Sequence, residues 1–294
     1  MGTTSTRRDG LSQKRLLSDE ERAEVLTLAA TCNSAEGLEL KLSVGVPPDD
    51  ADAAGNDFLY YEGGALAGYC ALDVGRGVEL CGMVSPERRR RGIGRLLLAA
   101  AADECRWRGV ARLLLICERE SRGGQPFIAT TGAQYRSGER RMHLNLAPFR
   151  PRTPAGARLT LQRAGPSDVE PLVRILSAAF DDPEDAVRAR VGRDLPDPDG
   201  WFVLARLAGE PVGTLRVIDV GRAANIYAFG VHPAYRGRGL GRQILETTLD
   251  SLRRDGYTSA ALEVETENAN AVALYRSCGF EETTTYEYYG LELS

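Results

Sequence analysis

Arginine and glycine recur at fixed spacing in two loops, and together they make an anion site. In the second loop Arg236, Gly237, Arg238, Gly239, Leu240, Gly241 and Arg242 follow an apolar run ending at Val231. In the first, Arg89, Gly92 and Gly94 follow a run ending at Val84. Glycine lets a backbone approach a phosphate closely, and the leading N–H groups of a helix have no partner within it. The helix dipole adds partial positive charge at the same point, and guanidinium groups pair with phosphate oxygens. A pyrophosphate suits such a site. Two other phosphate loops do not fit. No lysine lies near either loop, which removes G-x-x-x-x-G-K-[ST], and the evenly spaced Gly237, Gly239 and Gly241 do not match G-x-G-x-x-G.

One glycine turn before a helix is often only a tight connection, but here the turn occurs twice. Placing Gly92 on Gly239 gives an offset of 147 residues (239 − 92). At that offset Val84/Val231, Pro86/Pro233, Arg89/Arg236, Arg91/Arg238, Gly94/Gly241, Arg95/Arg242, Gly109/Gly256 and Gly132/Gly279 all pair without a gap. An internal repeat of nearly half the chain implies two copies of one domain. The expected organisation is a disordered tail over 1–12, a first domain over 13–146, a proline-rich linker over 147–156 and a second domain over 157–294.

The elements that would position the second loop follow from pattern. Strands are expected at Arg158–Ala164, Trp201–Arg206, Val212–Val220 and Asn225–Val231, with helical segments from Pro166 to Phe180 and over Pro183–Arg193. After the loop come a helix Gly241–Arg254 capped by Gly256, a strand Ser259–Val264, a helix Ala269–Ser277 capped by Gly279, and a strand pair across Glu281–Glu292. The first half repeats the order, with strands at Asp57–Glu62, Ala65–Asp73, Val78–Val84 and Ala111–Cys117 around a helix Gly94–Arg108. Strands alternating with helices predict an α/β class.

Bulk composition excludes several roles. A net charge of −4 over 294 residues argues against a dedicated nucleic-acid binder. No apolar run reaches the ~18 residues of a membrane span. The six cysteines lack C-x-x-C spacing and sit mostly in apolar runs, so buried free thiols in a reducing cytosol are expected. With His143 and His232 as the only histidines, no Cys/His metal site is expected. Oligomeric state leaves no mark in the sequence.

The segment VHPAYRGRGLGRQIL, with ALEVETENANAVALYRSCGF behind it, resembles the core of the GNAT superfamily of acyl-CoA N-acyltransferases. The R/Q-x-x-G-x-G/A loop of that superfamily matches Arg236, Gly239 and Gly241. Its N-x-x-A-x-x-L-Y…G-F signature matches Asn268, Ala271, Leu274, Tyr275, Gly279 and Phe280. The first half keeps the loop through Arg89, Gly92 and Gly94, a second possible CoA site, but has lost the second motif. The resemblance implies two tandem domains, each a bent mixed sheet flanked by helices and splayed between its fourth and fifth strands. Acetyl-CoA as cosubstrate would enter that splay. Its pantetheine arm would lie along Asn225–Val231, including Phe229 and Val231, with Asn268 nearby and its pyrophosphate on Arg236–Arg242.

Amide formation from a thioester needs a neutral amine, a polarised carbonyl and a proton for the departing thiolate. By the resemblance, Tyr275 is the proton donor and Glu263 the base, with Glu265 two residues on along the same face. Tyr275 also fits as a packing residue on an amphipathic helix, and both glutamates as solvated strand carboxylates. At the repeat offset Tyr275 falls on Ile128, which cannot donate a proton, so the first domain is expected to be inactive. The chain is thus expected to acetylate a primary amine, on a small molecule or a peptide. The mycothiol synthases, a tandem branch of the superfamily, and the protein N-terminal acetyltransferases are the specific alternatives; Asn225 stands where the former carry a glutamate. A non-catalytic acyl-CoA sensor is the reading from another class, and the intact Tyr275 speaks against it. Acceptor pockets in such folds are built from the first helices and the last strands, where Tyr286, Tyr288 and Tyr289 offer an aromatic wall to which the sequence assigns no role.

Overall fold

The computed structural model describes residues 9–45, 55–75, 77–152 and 159–293. They form two compact units. The first runs through Glu139 and takes back the C-terminal segment from Thr284; the second is Arg140–Thr283.

The first unit contains strands β1 (Gly10–Lys14), β2 (Asp57–Glu62), β3 (Ala65–Val74), β4 (Val78–Val84) and β5 (Arg112–Glu118), with helices α1 (Asp19–Glu36), α2 (Ile93–Trp107) and α3 (Gly124–Ala129). Strand β6 (Gln134–Asn145) crosses the division, and its residues from Arg140 belong to the second unit. That unit continues with β7 (Leu159–Arg163), α4 (Val169–Phe180), α5 (Glu184–Asp194), β8 (Gly200–Leu207), β9 (Glu210–Val220), β10 (Ala223–Val231), α6 (Leu240–Arg254), β11 (Ser259–Glu265) and α7 (Ala269–Ser277). The last strand, β12 (Glu281–Glu292), returns to the first unit.

Strand order is β1-β2-β3-β4-β5-β12 in the first unit and β6-β11-β10-β9-β8-β7 in the second. The strand pairing in each unit is mixed. β4 runs parallel to β5, and β10 to β11, while the other pairs with a described register are antiparallel. β6 and β12 are repeat partners at the 147-residue offset, so each unit is completed by the terminal strand of the other repeat. The domain limits expected from the sequence follow chain order and do not contain this exchange.

In both units the parallel pairing stops early. β4 pairs with β5 only from Val78/Leu113 to Leu80/Leu115, and β10 with β11 only from Ala223/Ser259 to Ile226/Leu262. Beyond those points the fourth and fifth strands part, and the gap opens at the end where the glycine loop begins.

Three sequence expectations are corrected. Residues 10–12, assigned to a tail, lie in β1, which pairs with β2 from Gly10/Tyr61 to Lys14/Asp57; residues 1–8 lie outside the described set. Part of the linker is core, because Phe149 is 7% exposed and belongs to the hydrophobic cluster that also holds Leu146, Val212 and Leu245; residues 153–158 are not described. The C-terminal strand pair is a single strand of 12 residues. Its Tyr286–Glu292 pair antiparallel with Arg112–Glu118 of β5, and the hydrogen-bonding partner that a hairpin would supply is thus already present.

Candidate active site

The second loop is built by backbone conformation before any side chain acts. β10 ends at Val231, a 3₁₀ turn covers Pro233–Tyr235, and Gly237 and Gly239 both sit at φ 74°. That left-handed region is costly for residues with a Cβ. Gly239 is the N-cap of α6. A Cβ on either glycine would meet nothing within 4 Å, so the space above the loop is open to a ligand. The first loop repeats the conformation, with Arg90 at φ 65° and Gly92 at φ 86° in the places of Gly237 and Gly239. An arginine held at positive φ shows that the loop imposes this shape even without glycine.

The arginines divide by role. Arg236 donates from Nε to the Val231 carbonyl (3.0 Å) and from Nη2 to Ala179 O (3.0 Å), tying the end of β10 to the end of α4. Arg89 is its structural twin. It donates from Nε to Val84 O (3.2 Å) and pairs with Glu36, which is almost fully buried. Both are fasteners of the loop. Arg238 reaches Ala234 O (3.2 Å) and lies over the Tyr235 ring, 5.4 Å from its centroid. Arg242 donates to Ser277 Oγ (2.7 Å), with Glu246 at 3.6 Å. These two keep an exposed or half-exposed guanidinium at the mouth of the loop, next to the leading N–H groups of α6.

Beneath the loop, the sequence-expected residues meet in one cluster. Leu240 is buried, and the contacts of Gly241 are Leu274, Phe229 and Val231, each at 3.6–3.8 Å from where its Cβ would stand. The Phe229 and Tyr275 rings are 6.3 Å apart, and Phe280 lies 6.0 Å from Tyr275 on another side. Tyr275 is 7% exposed, and its hydroxyl makes no hydrogen bond to any described residue. Burial, with a smaller push from Cys278, raises its pKa to about 12. It is therefore fully protonated at neutral pH.

Two expected residues already have partners within the fold. Asn268 is the N-cap of α7, accepting from Ala271 N at 3.1 Å. Glu263, half-buried on β11, pairs with Arg141 at 3.2 Å. Glu265 is exposed. The three tyrosines Tyr286, Tyr288 and Tyr289 belong to the first unit. There Tyr286 donates to Glu39 O (2.7 Å), Tyr288 pairs with Glu139, and Tyr289 donates to Gln125 Oε1 (2.9 Å). The strand exchange removes all three from the second unit.

Sequence reasoning missed a bulge. Tyr227 faces Arg216 but Gly230 faces Thr214, so β10 holds one more residue than β9 across this stretch, and Ala228 sits at φ 47°. β4 has no such irregularity and stays in register with β3 from Val78/Val74 to Val84/Gly68. The repeat arithmetic carries the trace: Leu115 and Leu262 are 147 apart, while their partners Leu80 and Ile226 are 146 apart. A bulge takes N–H and C=O groups out of the ladder. Here it does so where β10 leaves β11.

The first unit holds a cavity of about 530 Å³ between Cys81–Val84 and Ile116–Glu118, beside Arg88–Arg90 and Gly92–Arg95. No group of three or more His, Cys, Asp or Glu residues among the described residues is arranged to hold a metal. Among the described residues no helix is long and apolar enough to cross a membrane.

A family model for the acetyltransferase (GNAT) family matches residues 24–132 and again 169–280. The chain belongs to the acetyltransferase (GNAT) family. It is an acyl-CoA-dependent N-acetyltransferase built from two GNAT domains in tandem. A protein named mycothiol acetyltransferase from Geodermatophilus obscurus is 32% identical over 298 residues, covering 88% of this chain and 90% of that one. Another of that name from Clavibacter michiganensis is 31% identical over 216 residues, covering 70% of each. The N-alpha-acetyltransferase RimI of Mycobacterium tuberculosis is 41% identical over 97 residues, or 32% of this chain and 60% of that one. Among solved structures, a GCN5-related N-acetyltransferase from Sphaerobacter thermophilus superposes with a TM-score of 0.79 at 19% identity, covering 98% and 97% of the two chains. A tandem GNAT protein from the clavulanic acid biosynthesis pathway superposes with a TM-score of 0.72 at 20% identity, covering 97% and 99%. Both likenesses speak to the fold.

Proposed function

We propose that the second unit transfers an acetyl group from acetyl-CoA to a primary amine by direct attack, and that the first unit does not turn over. The observation that carries this reading is the buried, protonated Tyr275 hydroxyl, held against Phe229 directly below the glycine loop. The amine nitrogen attacks the thioester carbon, the C–S bond breaks, and the thiolate takes the Tyr275 proton. Glu263 accepts the proton that the amine gives up. Arg238, Arg242 and the first N–H groups of α6 hold the pyrophosphate. A backbone N–H released at the Tyr227–Gly230 bulge faces the charge that develops on the thioester oxygen.

The first unit has Ile128 at the tyrosine position and an unbulged β4. It lacks both the proton donor and the extra N–H. For the acceptor, the relatives that match nearly the whole chain are named mycothiol acetyltransferase, which makes a mycothiol-type amine the first to test. The similarity to RimI makes a peptide α-amine the second. The test is amine-dependent release of free CoA thiol by the full chain. Wild type releases thiol, and Tyr275→Phe loses turnover while keeping acetyl-CoA affinity. Unchanged turnover in that variant removes Tyr275 from the chemistry.

A further inference from the structure

The parallel pairing of β10 with β11 ends at Ile226/Leu262, and Glu263 is the first residue of β11 past that point. Its neighbours Leu262 and Val264 belong to the core cluster that holds Tyr275, so Glu263 stands on the opposite face of the strand. Arg141 reaches that same face from β6, the strand beside β11, because the adjacent Met142 is fully buried in the cluster. Arg141 Nη1 lies 3.2 Å from Glu263 Oε1, with side-chain exposures of 21% and 12%. Water screens a pair this enclosed far less than a surface pair, and its geometry persists accordingly.

The pair occurs once. At the repeat offset Glu263 falls on Ile116 and Arg141 on Tyr288. Those two residues face each other directly across β5 and β12, so an isoleucine and a tyrosine fill the corresponding place in the first unit. Tyr288 is taken up there by Lys41, at 2.7 Å, and by Glu139. An ion pair needed only to join the last strand to the sheet would serve both units equally. Instead it accompanies Tyr275 and the bulge, both of which the first unit also lacks. Arg141 also comes from across the repeat. β6 belongs by sequence to the first repeat, and its residues from Arg140 complete the second unit. The repeat without the tyrosine thus contributes a cation to the carboxylate of the repeat that has it.

We infer that Arg141 is a positioning residue for the proposed reaction, fixing the Glu263 carboxylate at the gap while Glu263 takes the proton of the attacking amine. Arg141 itself neither gives nor takes a proton. The proton of the amine goes to Glu263, and that of Tyr275 goes to the departing thiolate. This inference rests on the reading of Glu263 as the base given above.

The test uses the full chain and amine-dependent release of CoA thiol, with a mycothiol-type amine and a peptide α-amine as probes. Arg141→Gln lowers kcat about tenfold or more, with acetyl-CoA affinity by calorimetry held within about twofold. Arg141→Lys, which keeps a cation opposite Glu263, recovers most of the loss. In a Glu263→Gln background Arg141→Gln has no further effect on kcat, because no base is left to position. Arg206→Gln is the control. It breaks a pair of matching exposure in the same unit, Arg206 with Asp168 at 2.8 Å, whose side chains are 24% and 10% exposed. It lowers the unfolding midpoint as Arg141→Gln does and leaves kcat within about twofold of wild type. Equal kcat in Arg141→Gln and Arg206→Gln overturns the inference alone, as does an undiminished effect of Arg141→Gln in the Glu263→Gln background. Full turnover in Glu263→Gln, or no thiol release by wild type with either amine, overturns the proposed reaction and this inference with it.

Discussion

Two glycine loops of the same backbone shape lead into gaps of different content. The second gap is floored by Phe229 and Tyr275, and its fourth strand carries a bulge. The first has glycine and isoleucine at those positions, a regular fourth strand, and open volume. The loop conformation has therefore been kept twice, while the buried tyrosine and the bulge, which on the proposed reading supply a proton and polarise a carbonyl, are present once. On that reading binding and chemistry rest on separate residues, and the first unit has kept the one without the other.

The largest effect that would break this comparison is on turnover. Tyr275→Phe lowers kcat for amine-dependent CoA release by about 10²-fold or more, the usual contribution of a positioned acid, with acetyl-CoA affinity held within about twofold. Next is Gly239→Glu, which forces a side chain at φ 74° and places a negative charge under the pyrophosphate. Acetyl-CoA affinity by calorimetry falls about a hundredfold.

The two fasteners sharpen the comparison through stability. Arg89→Ala leaves Glu36 buried without its cation, although the Gly123 N–H still donates to it, and costs about 2–3 kcal/mol in denaturant unfolding. Arg236→Ala loses hydrogen bonds to two carbonyls that water can replace, and costs about 1 kcal/mol. Equal costs would mean that Glu36 is not the reason for the first pair.

The smallest effect is alkaline. Tyr275 moves from an ordinary value of 10.0 to about 12 on folding. Its contribution is present in full below pH 10 and is lost as pH rises through about 12, because the unfolded state releases the proton first. Unfolding free energy falls by about 1–3 kcal/mol across that window, and the fall is shallower in Tyr275→Phe.

Much of this was legible in the sequence. The repeat, the glycine loops, β10, α6, β11 and α7 follow from apolar period and glycine caps, which are local properties. The strand exchange was not legible, because β6 and β12 fit equally well beside either parallel pair and nothing in their composition assigns a partner. β6 also reads as polar, with its first four residues exposed. The bulge at Ala228 escaped because no glycine marks its positive φ; its one trace is the change of offset from 147 to 146. The roles of Asn268 as a helix cap and of Arg236 as a fastener depend on carbonyls and N–H groups that spacing does not reveal. At the repeat offset Gly82 and Ile128 stand where the second unit has Phe229 and Tyr275, and Phe127 stands where it has Leu274.

The measurement that bears most directly on the division of labour is amine-dependent thiol release by the full chain, with Tyr275→Phe and Gly92→Glu assayed side by side against wild type. The account predicts loss of turnover in the first variant and turnover within about twofold of wild type in the second. Activity that survives Tyr275→Phe and disappears in Gly92→Glu would place the chemistry in the first unit and contradict it.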